Sequence, residues 1–161
     1  MQAYVFRTPV LLTLILAAFP HLVAMPLPNQ ILVDASPHPY HDHPPEEPVP
    51  ETFQATRLLD NPVAFVAYAL AARIREILYQ EPCYCPCDKE EGHSSLLDCF
   101  TGNHSIWCSR CQAEVIFCYE DNRKGKTPAQ IRKDLAEGRA WRVDLKKYSE
   151  RSFARLKHDL K

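Results

Sequence analysis

The sequence predicts a small, all-α, cysteine-rich domain that follows a signal peptide and a proline-rich linker. Apolar residues recur at helical spacing in several segments that carry helix-capping residues. No segment alternates apolar and polar residues in the manner of a half-buried strand. All seven cysteines lie between Cys83 and Cys118. Since a core this small is marginal, covalent or metal crosslinks are expected to support it.

Residues 1–24 have the pattern of a secretory signal peptide. Arg7 precedes an apolar run, residues 10–19, that is shorter than the ~20 residues a membrane-spanning helix needs. We expect cleavage after Ala24 and an exported product, periplasmic or extracellular. An uncleaved membrane anchor is the alternative, because Leu22 is not the small residue favoured near a cleavage site. No cysteine precedes Cys83, so no lipid anchor is expected from the leader.

Residues 25–59 are expected to form a disordered linker rich in proline and histidine. Eight prolines lie between Met25 and Glu51, a composition that favours extended polyproline segments and buries little apolar surface. His38, His41 and His43 lie close together and can loosely collect a metal ion. Histidines in such a linker are more often simply solvated.

The cysteine-rich helical domain is expected to span residues 60–138 and to begin with a long helix. Asp60 or Asn61 is a suitable N-cap, Pro62 takes the first helical position, and Pro82 ends the segment. The apolar residues at helical spacing along it are Val66, Leu70, Ile74, Ile77 and Leu78. This stripe is expected to face the core.

Two further helical segments follow in the cysteine-rich part. A short helical turn is expected to be capped by Ser94 or Ser95 and to end at Gly102. A second long helix is expected from about Trp107 to Asp121, because its apolar residues again recur at helical spacing. No β-α-β pattern surrounds these segments.

The last segments of the chain also predict helices. Thr127 and Gln130 form a capping box, Pro128 is in the first turn, and Gly138 lies just beyond the end. Residues 139–161 are a basic C-terminal helix or tail, with eight lysines and arginines against three acids. A basic tail can contact nucleic acid or anionic lipid, but a solvated helix face has the same composition. We expect the solvated face and no nucleic-acid partner.

The cysteines and two nearby histidines form the candidate site. Its residues are Cys83, Cys85, Cys87, His93, Cys99, His104, Cys108, Cys111 and Cys118. Pro86 favours an extended Cys85, and alternate Cα atoms of an extended chain lie ~6.5 to 7 Å apart. A disulfide prefers ~5.5 to 6 Å. The C-x-C-x-C thiols are therefore expected to converge on one ion, Zn²⁺ or Cu(I), and not to bond each other.

The segment WCSRC carries the C-x-x-C spacing of thiol oxidoreductases. At a helix N-terminus the Cys108 thiolate is stabilised by unpaired N–H groups, so Cys108 is the candidate attacking thiol and Cys111 the resolving one. The same spacing is half of a common zinc site. Cys108, Cys111 and Cys118 share one helix stripe with Val115, which is expected to face the C-x-C-x-C segment.

The segments PCYCPCD, GHSSLLDCF and GKTPAQIR, with His104 and the C-x-x-C, resemble the bacterial CYCXC family, also called PCYCGC-motif (lipo)proteins. The similarity runs from about Pro82 to Ile131. It implies an exported bacterial protein, often lipid-anchored in the family, with members in which selenocysteine replaces a cysteine. Selenium substitution favours redox chemistry at a thiolate. This chain departs from the lipoprotein pattern, because its leader has no cysteine.

Three functions are compatible with these residues. The leading hypothesis is an exported protein that binds Cu(I) or Zn²⁺ and exchanges it with an unknown protein partner, a metal donor or acceptor. The first alternative is a thiol–disulfide redox protein that uses Cys108 and Cys111. The second alternative is a structural domain with six of seven thiols paired, which binds a protein partner.

Overall fold

The computed structural model describes residues 37–160. The predicted signal peptide and the first part of the predicted linker lie outside the described residues. The described part is all-α, as predicted, and residues 37–160 contain no strand. Its helices are α1 (Pro62–Ala71), α2 (Arg75–Tyr79), α3 (Cys87–Glu90), α4 (Asp98–Thr101), α5 (Ser109–Arg123), α6 (Pro128–Ala136) and α7 (Leu145–Asp159). None of these helices combines the length and the apolar character needed to cross a bilayer.

Helix α1 is the centre of the core. Its N-cap is Asn61, whose Oδ1 accepts a hydrogen bond from the Ala64 N–H at 3.1 Å. All eight residues from Ala64 to Ala71 are buried, as expected for a helix that is apolar on every side. Helix α1 packs against α5 and α7, and Phe65 contacts Phe153 of α7 edge to face. The cysteine-bearing helix α5 is therefore held by the core.

The long first helix expected up to Pro82 is interrupted after Ala71. Ile74 has φ −132° and ψ 31°, outside the helical region, and α2 begins at the next residue. Neither glycine nor proline marks the break in the sequence. Arg73 forms an ion pair with Asp159 of α7 at 2.8 Å, and Arg75 pairs with Glu51 at 2.6 Å. Tertiary contacts of this kind override the local helix preference.

Helices α5 and α6 begin close to the predicted positions. Cys108 is the N-cap of α5, and its sulfur accepts a hydrogen bond from the Cys111 N–H at 3.4 Å. At α6 both hydrogen bonds of the Thr127 and Gln130 capping box are present. Gly138 follows α6 with φ +71°, a conformation that glycine adopts without strain.

The short segment before His104 is capped differently from the prediction. The Asp98 carboxylate accepts hydrogen bonds from the N–H groups of Ser94 and Ser95, at 2.7 and 3.2 Å. The serines therefore supply backbone donors, and Asp98 supplies the acceptor, in place of a serine hydroxyl cap. Gly102 follows the end of α4 as predicted, and its carbonyl accepts from the Tyr68 hydroxyl at 2.9 Å.

Residues 37–59, here called the N-terminal strap, pack along the helical domain. The Phe53 N–H donates to the Phe100 carbonyl at 2.8 Å, and the His41 ring stacks on Tyr79 at 3.8 Å. Leu58 is buried in the core, where Phe53 also packs. The sequence predicted a disordered linker up to residue 59, whereas here Ala55 and Leu58 are buried and Val49 and Phe53 are partly buried against the core. The described residues belong to one compact unit.

Candidate metal centre

The C-x-C-x-C segment lies between α2 and α3 and is attached to α5 through Tyr84. The Tyr84 N–H donates to the Glu114 carboxylate at 3.1 Å. The Tyr84 carbonyl accepts a hydrogen bond from the Arg110 guanidinium. Because Arg110 and Glu114 are one turn apart on α5, they fix the segment against the helix.

Five buried cysteine sulfurs lie within 4.8 Å of one another. They belong to Cys83, Cys85, Cys87, Cys99 and Cys111. The Cys111 Sγ is 3.6 Å from the Sγ of Cys83 and 3.6 Å from that of Cys85. The sulfurs of a tetrahedral zinc site lie ~3.8 Å apart, given Zn–S bonds of ~2.3 Å. The predicted convergence of the C-x-C-x-C segment and the C-x-x-C helix is therefore present, and the group can hold a metal ion.

Cys85 and Cys87 are joined by a disulfide bond, with their Cα atoms 5.5 Å apart. The expectation that neighbouring C-x-C-x-C thiols do not bond each other is therefore wrong. Its error lies at Pro86, which has φ −74° and ψ 11° and leads directly into α3. This compact turn brings the two Cα atoms closer than an extended segment does. The remaining cysteines are free, which does not match a framework with six of seven thiols paired.

A second group combines one sulfur with two imidazoles. The Cys87 Sγ is 2.9 Å from the His104 Nε2, and the Cys99 Sγ is 3.2 Å from the His93 Nδ1. The two histidine rings meet edge to face with centroids 5.1 Å apart. Cys87, His93 and His104 can together hold an ion at the half-buried edge of the sulfur group. Both histidines predicted from the sequence are thus beside the cysteines.

Cys108 connects the buried sulfurs to the surface. It is partly exposed, whereas the other six cysteines are buried. The Cys111 thiol donates a hydrogen bond to the Cys108 Sγ at 2.9 Å. This bond lowers the pKa of Cys108 to about 6, against the opposing effect of burial, with help from the N–H groups of Cys111 and Arg110. Cys108 is therefore a thiolate at neutral pH.

The buried thiols have the opposite tendency. The pKa of Cys111 is raised, chiefly because its thiol donates to Cys108, and burial adds to the effect. The pKa of Cys99 is also raised, first by its hydrogen bond with Cys111 and then by burial. Since metal ligands must be thiolates, binding of an ion here displaces protons from these sulfurs.

Two buried glutamates lie beside the sulfurs and were not among the residues predicted from the sequence. Burial raises the pKa of Glu114 to about 8, although hydrogen bonds from Cys83 and from the Tyr84 N–H oppose it. Burial raises the pKa of Glu81 to about 9, and its carboxyl oxygens have no hydrogen-bond partner among the described residues. The available signal for Glu114 was its position three residues after Cys111, on the helix face that carries the thiols.

Cys118 belongs to neither group among the described residues. It is fully buried in α5, and burial raises its pKa. Cys118 lies seven residues after Cys111, which corresponds to ~10 Å along a helix axis. The shared stripe predicted from the spacing thus extends beyond the sulfur group.

One family is similar to this chain. The family is described as "Protein of unknown function with PCYCGC motif", and its sequence model matches residues 54–138. The matched range is just over half of the chain and includes every cysteine and both histidines of the two groups. No curated protein and no solved structure matches the chain.

Proposed function

Because the chain belongs to the PCYCGC-motif family, whose function is unknown, we propose a function from the chemistry of the site. The protein binds a soft metal ion, Cu(I) or Zn²⁺, in its buried cysteine group. The observation that supports this proposal is the set of five buried sulfurs within 4.8 Å of one another.

The donor atoms favour soft and borderline ions. Thiolates bind Cu(I) and Zn²⁺ strongly, and imidazole suits both metals. Ca²⁺ and Mg²⁺ require oxygen ligands, which the sulfur group does not offer. Copper and zinc therefore remain as the two candidates, and both enter the binding experiment.

The two groups suggest how ligands are shared. Cys83, Cys85 and Cys111 offer three sulfurs in mutual contact, and Cys99 lies within the same 4.8 Å. Cys87 with the two histidines provides a second, mixed set of ligands. While the disulfide is present, Cys85 and Cys87 do not bind an ion as thiolates. Full binding therefore requires reduction of the disulfide by two electrons and two protons from a thiol reductant.

The binding experiment uses reduced, metal-free protein under anaerobic conditions. Zn²⁺ or Cu(I) is added, a weak chelator removes loosely held ions, and native mass spectrometry counts the ions retained on each chain. We expect at least one retained ion in the wild type, because the ligand sulfurs are buried and water does not compete freely for the ion. A stronger chelator is then added, and the metal that remains bound to the protein is the preferred ion.

Two variants make the experiment specific to the sulfur group. The double variant Cys83→Ser/Cys111→Ser should lose the retained ion, since it removes two of the central sulfurs. Cys118→Ser is the matched control, because it removes a buried thiol of α5 that lies outside both groups. Equal retention in the two variants, or a reduced wild type that retains neither metal, would contradict the proposal.

We also propose that the protein is exported and meets its metal donor or acceptor outside the cytoplasm. Support for this comes from the signal-peptide pattern of residues 1–24. Expression of the full chain followed by fractionation and N-terminal sequencing tests it. A cytoplasmic product that keeps Met1 would contradict export.

A further inference from the structure

We propose that the Cys108–Cys111 dithiol opens and closes the buried Cys85–Cys87 disulfide by thiol–disulfide exchange. The exchange itself does not depend on the proposed function. Only its consequence, that the oxidation state of the disulfide controls metal binding, rests on that function. The exchange is supported by a continuous line of sulfurs from Cys108 at the surface to Cys85 in the interior.

The distances define the order of the sulfurs. The Cys108 Sγ is 2.9 Å from the Cys111 Sγ, which is in turn 3.6 Å from the Cys85 Sγ. Cys83 also lies near the disulfide, with its sulfur 3.2 Å from that of Cys85. The Cys83 Sγ is also 3.6 Å from the Cys111 Sγ, so a path from Cys83 to the partly exposed Cys108 runs through Cys111. Cys111 is therefore the buried thiol that joins the disulfide to the surface.

The exchange takes place in two balanced steps. The Cys111 thiol gives its proton to the Cys108 thiolate, and the Cys111 sulfur attacks the Cys85 sulfur. A Cys85–Cys111 bond forms, the Cys85–Cys87 bond breaks, and the electron pair leaves on Cys87, which then takes up that proton from Cys108. The Cys108 thiolate then attacks the Cys111 sulfur, and the electron pair leaves on Cys85. Cys108 and Cys111 are oxidised, and Cys85 and Cys87 are reduced. The Cys111 proton thus ends on Cys87, and the negative charge of the Cys108 thiolate ends on Cys85.

His104 is placed to assist the leaving thiolate. Its Nε2 is 2.9 Å from the Cys87 Sγ, the atom on which the first electron pair leaves. An imidazole N–H at that distance can donate a hydrogen bond to the thiolate as it forms. A leaving group stabilised in this way departs faster. His104 thus acts directly on the leaving sulfur of the exchange.

The outer end of the line is accessible to an external thiol. Cys108 is partly exposed, and the preceding Trp107 has 86% of its surface exposed. A dithiol or disulfide of a partner can therefore reach Cys108 without entering the core. The partner's chemical class is a thiol–disulfide couple, which supplies or accepts two electrons at Cys108 and Cys111.

The test follows disulfide transfer in metal-free protein with a chelator present. Fully reduced wild type receives one equivalent of oxidised glutathione, samples are quenched with acid and alkylated, and peptide mapping identifies the bonded pairs over time. We expect the Cys108–Cys111 disulfide first and the Cys85–Cys87 disulfide afterwards. In Cys108→Ser, formation of the Cys85–Cys87 disulfide should slow by about tenfold or more, because the accessible thiolate is missing.

Control variants separate this route from its alternatives. Cys118→Ser is the control and should retain the wild-type order, since its thiol lies outside both groups and off the proposed route. Slow transfer in Cys83→Ser alone would assign the attack to Cys83 and overturn the role of Cys111. Formation of Cys85–Cys87 without earlier Cys108–Cys111, or an unchanged rate in Cys108→Ser, would also overturn the proposal.

The wild-type order of bonded pairs remains a test even where a variant fails to fold. The outcome is also independent of metal binding. If the disulfide moves from Cys108–Cys111 to Cys85–Cys87 but the protein retains no ion, the proposed function is refuted and the exchange is not. If the protein retains an ion but the Cys108–Cys111 disulfide is never transferred to Cys85 and Cys87, the exchange is refuted and the proposed function is not.

Discussion

Gly138 shows at the scale of one residue how a turn is coupled to the site. Its φ of +71° is strained for any residue with a Cβ, and a Cβ at this position would lie 2.9 Å from Trp141 Cδ1. The Trp141 ring in turn lies under the Arg110 guanidinium, with 4.4 Å between the guanidinium carbon and the ring centroid. Gly138 therefore leaves the space in which Trp141 supports Arg110.

We expect Gly138→Ala to lower the free energy of unfolding by about 2 kcal/mol, from backbone strain and from displacement of the Trp141 ring. Gly125→Ala is the matched control, because Gly125 has φ +82° but no atom within 4 Å of the added methyl group. The control should lose about 1 kcal/mol from strain alone. Urea denaturation measures both variants, and equal losses would show that the contact with Trp141 has no energetic effect.

The cysteine site could be predicted from sequence in its composition but not in its bonding. The spacing on α5 and the alternation of Cys83, Cys85 and Cys87 were sufficient to place their sulfurs together. The Cys85–Cys87 bond could not be predicted, because it depends on a ψ of 11° at Pro86, and proline restricts φ far more than ψ. The spacing places Glu114 on the cysteine-bearing face of α5, but the depth of its burial depends on tertiary packing.

At the scale of elements, the junction between α5 and α6 is held by buried charge. Lys126 lies in the connection, and its Nζ is 2.6 Å from Asp121 of α5 and 2.5 Å from Asp134 of α6. Lys124 adds a contact of 2.7 Å to Asp121. Burial would raise the pKa of Asp121, but hydrogen bonds from the two lysines outweigh it, so that the pKa lies below its ordinary value.

This depressed pKa predicts an acid-sensitive junction. The unfolded state takes up the Asp121 proton at higher pH than the folded state, so the contribution is present above the ordinary pKa of ~3.9 and is lost as pH falls through and below that value. We expect Asp121→Asn to lower the free energy of unfolding by about 1–3 kcal/mol at pH 7. The stability of the Asp121→Asn variant should also decline less than that of the wild type between pH 5 and pH 3, and urea denaturation at each pH measures this.

Glu137→Gln is the control for this junction. Glu137 pairs with Arg139 at 2.6 Å, but both side chains are exposed, so we expect a loss below about 0.5 kcal/mol. If the acid dependence of Asp121→Asn equals that of the wild type, the lysine contacts do not account for the stability of the junction.

The helices differ in how well sequence predicted their limits. The ends of α6 were predictable, because Thr127, Gln130 and Gly138 act within one turn of the chain. The break after Ala71 was not, since its ion pairs involve residues of the strap and of α7. Local signals thus determine the capped ends, whereas distant partners determine the interruption.

At the scale of the whole molecule, the N-terminal strap contributes to the core of the helical domain. Phe53 contacts the ring of Tyr68 of α1 edge to face, with centroids 5.9 Å apart. Tyr68 in turn contacts Phe100 of α4, with centroids 5.1 Å apart. The Phe53 N–H also donates to the Phe100 carbonyl. The strap therefore packs against α4, the helix that carries Cys99.

We expect Phe53→Ala to lower the free energy of unfolding by about 1–3 kcal/mol, less than for a fully buried phenylalanine. The control is Glu47→Ala, a substitution at an exposed position of the strap, which should change the stability by less than about 0.5 kcal/mol. Thermal and urea denaturation measure both variants. A Phe53→Ala protein as stable as Glu47→Ala would mean that the Phe53 side chain does not stabilise the core.

Trp107 and Trp141 are the two tryptophans of the chain. Trp107 precedes Cys108, while Trp141 lies against the arginine whose guanidinium reaches the Tyr84 carbonyl. Indole emission is sensitive to neighbouring disulfides and heavy ions. Intrinsic fluorescence should therefore report ion binding and disulfide formation at the sulfur group in real time, without an attached dye.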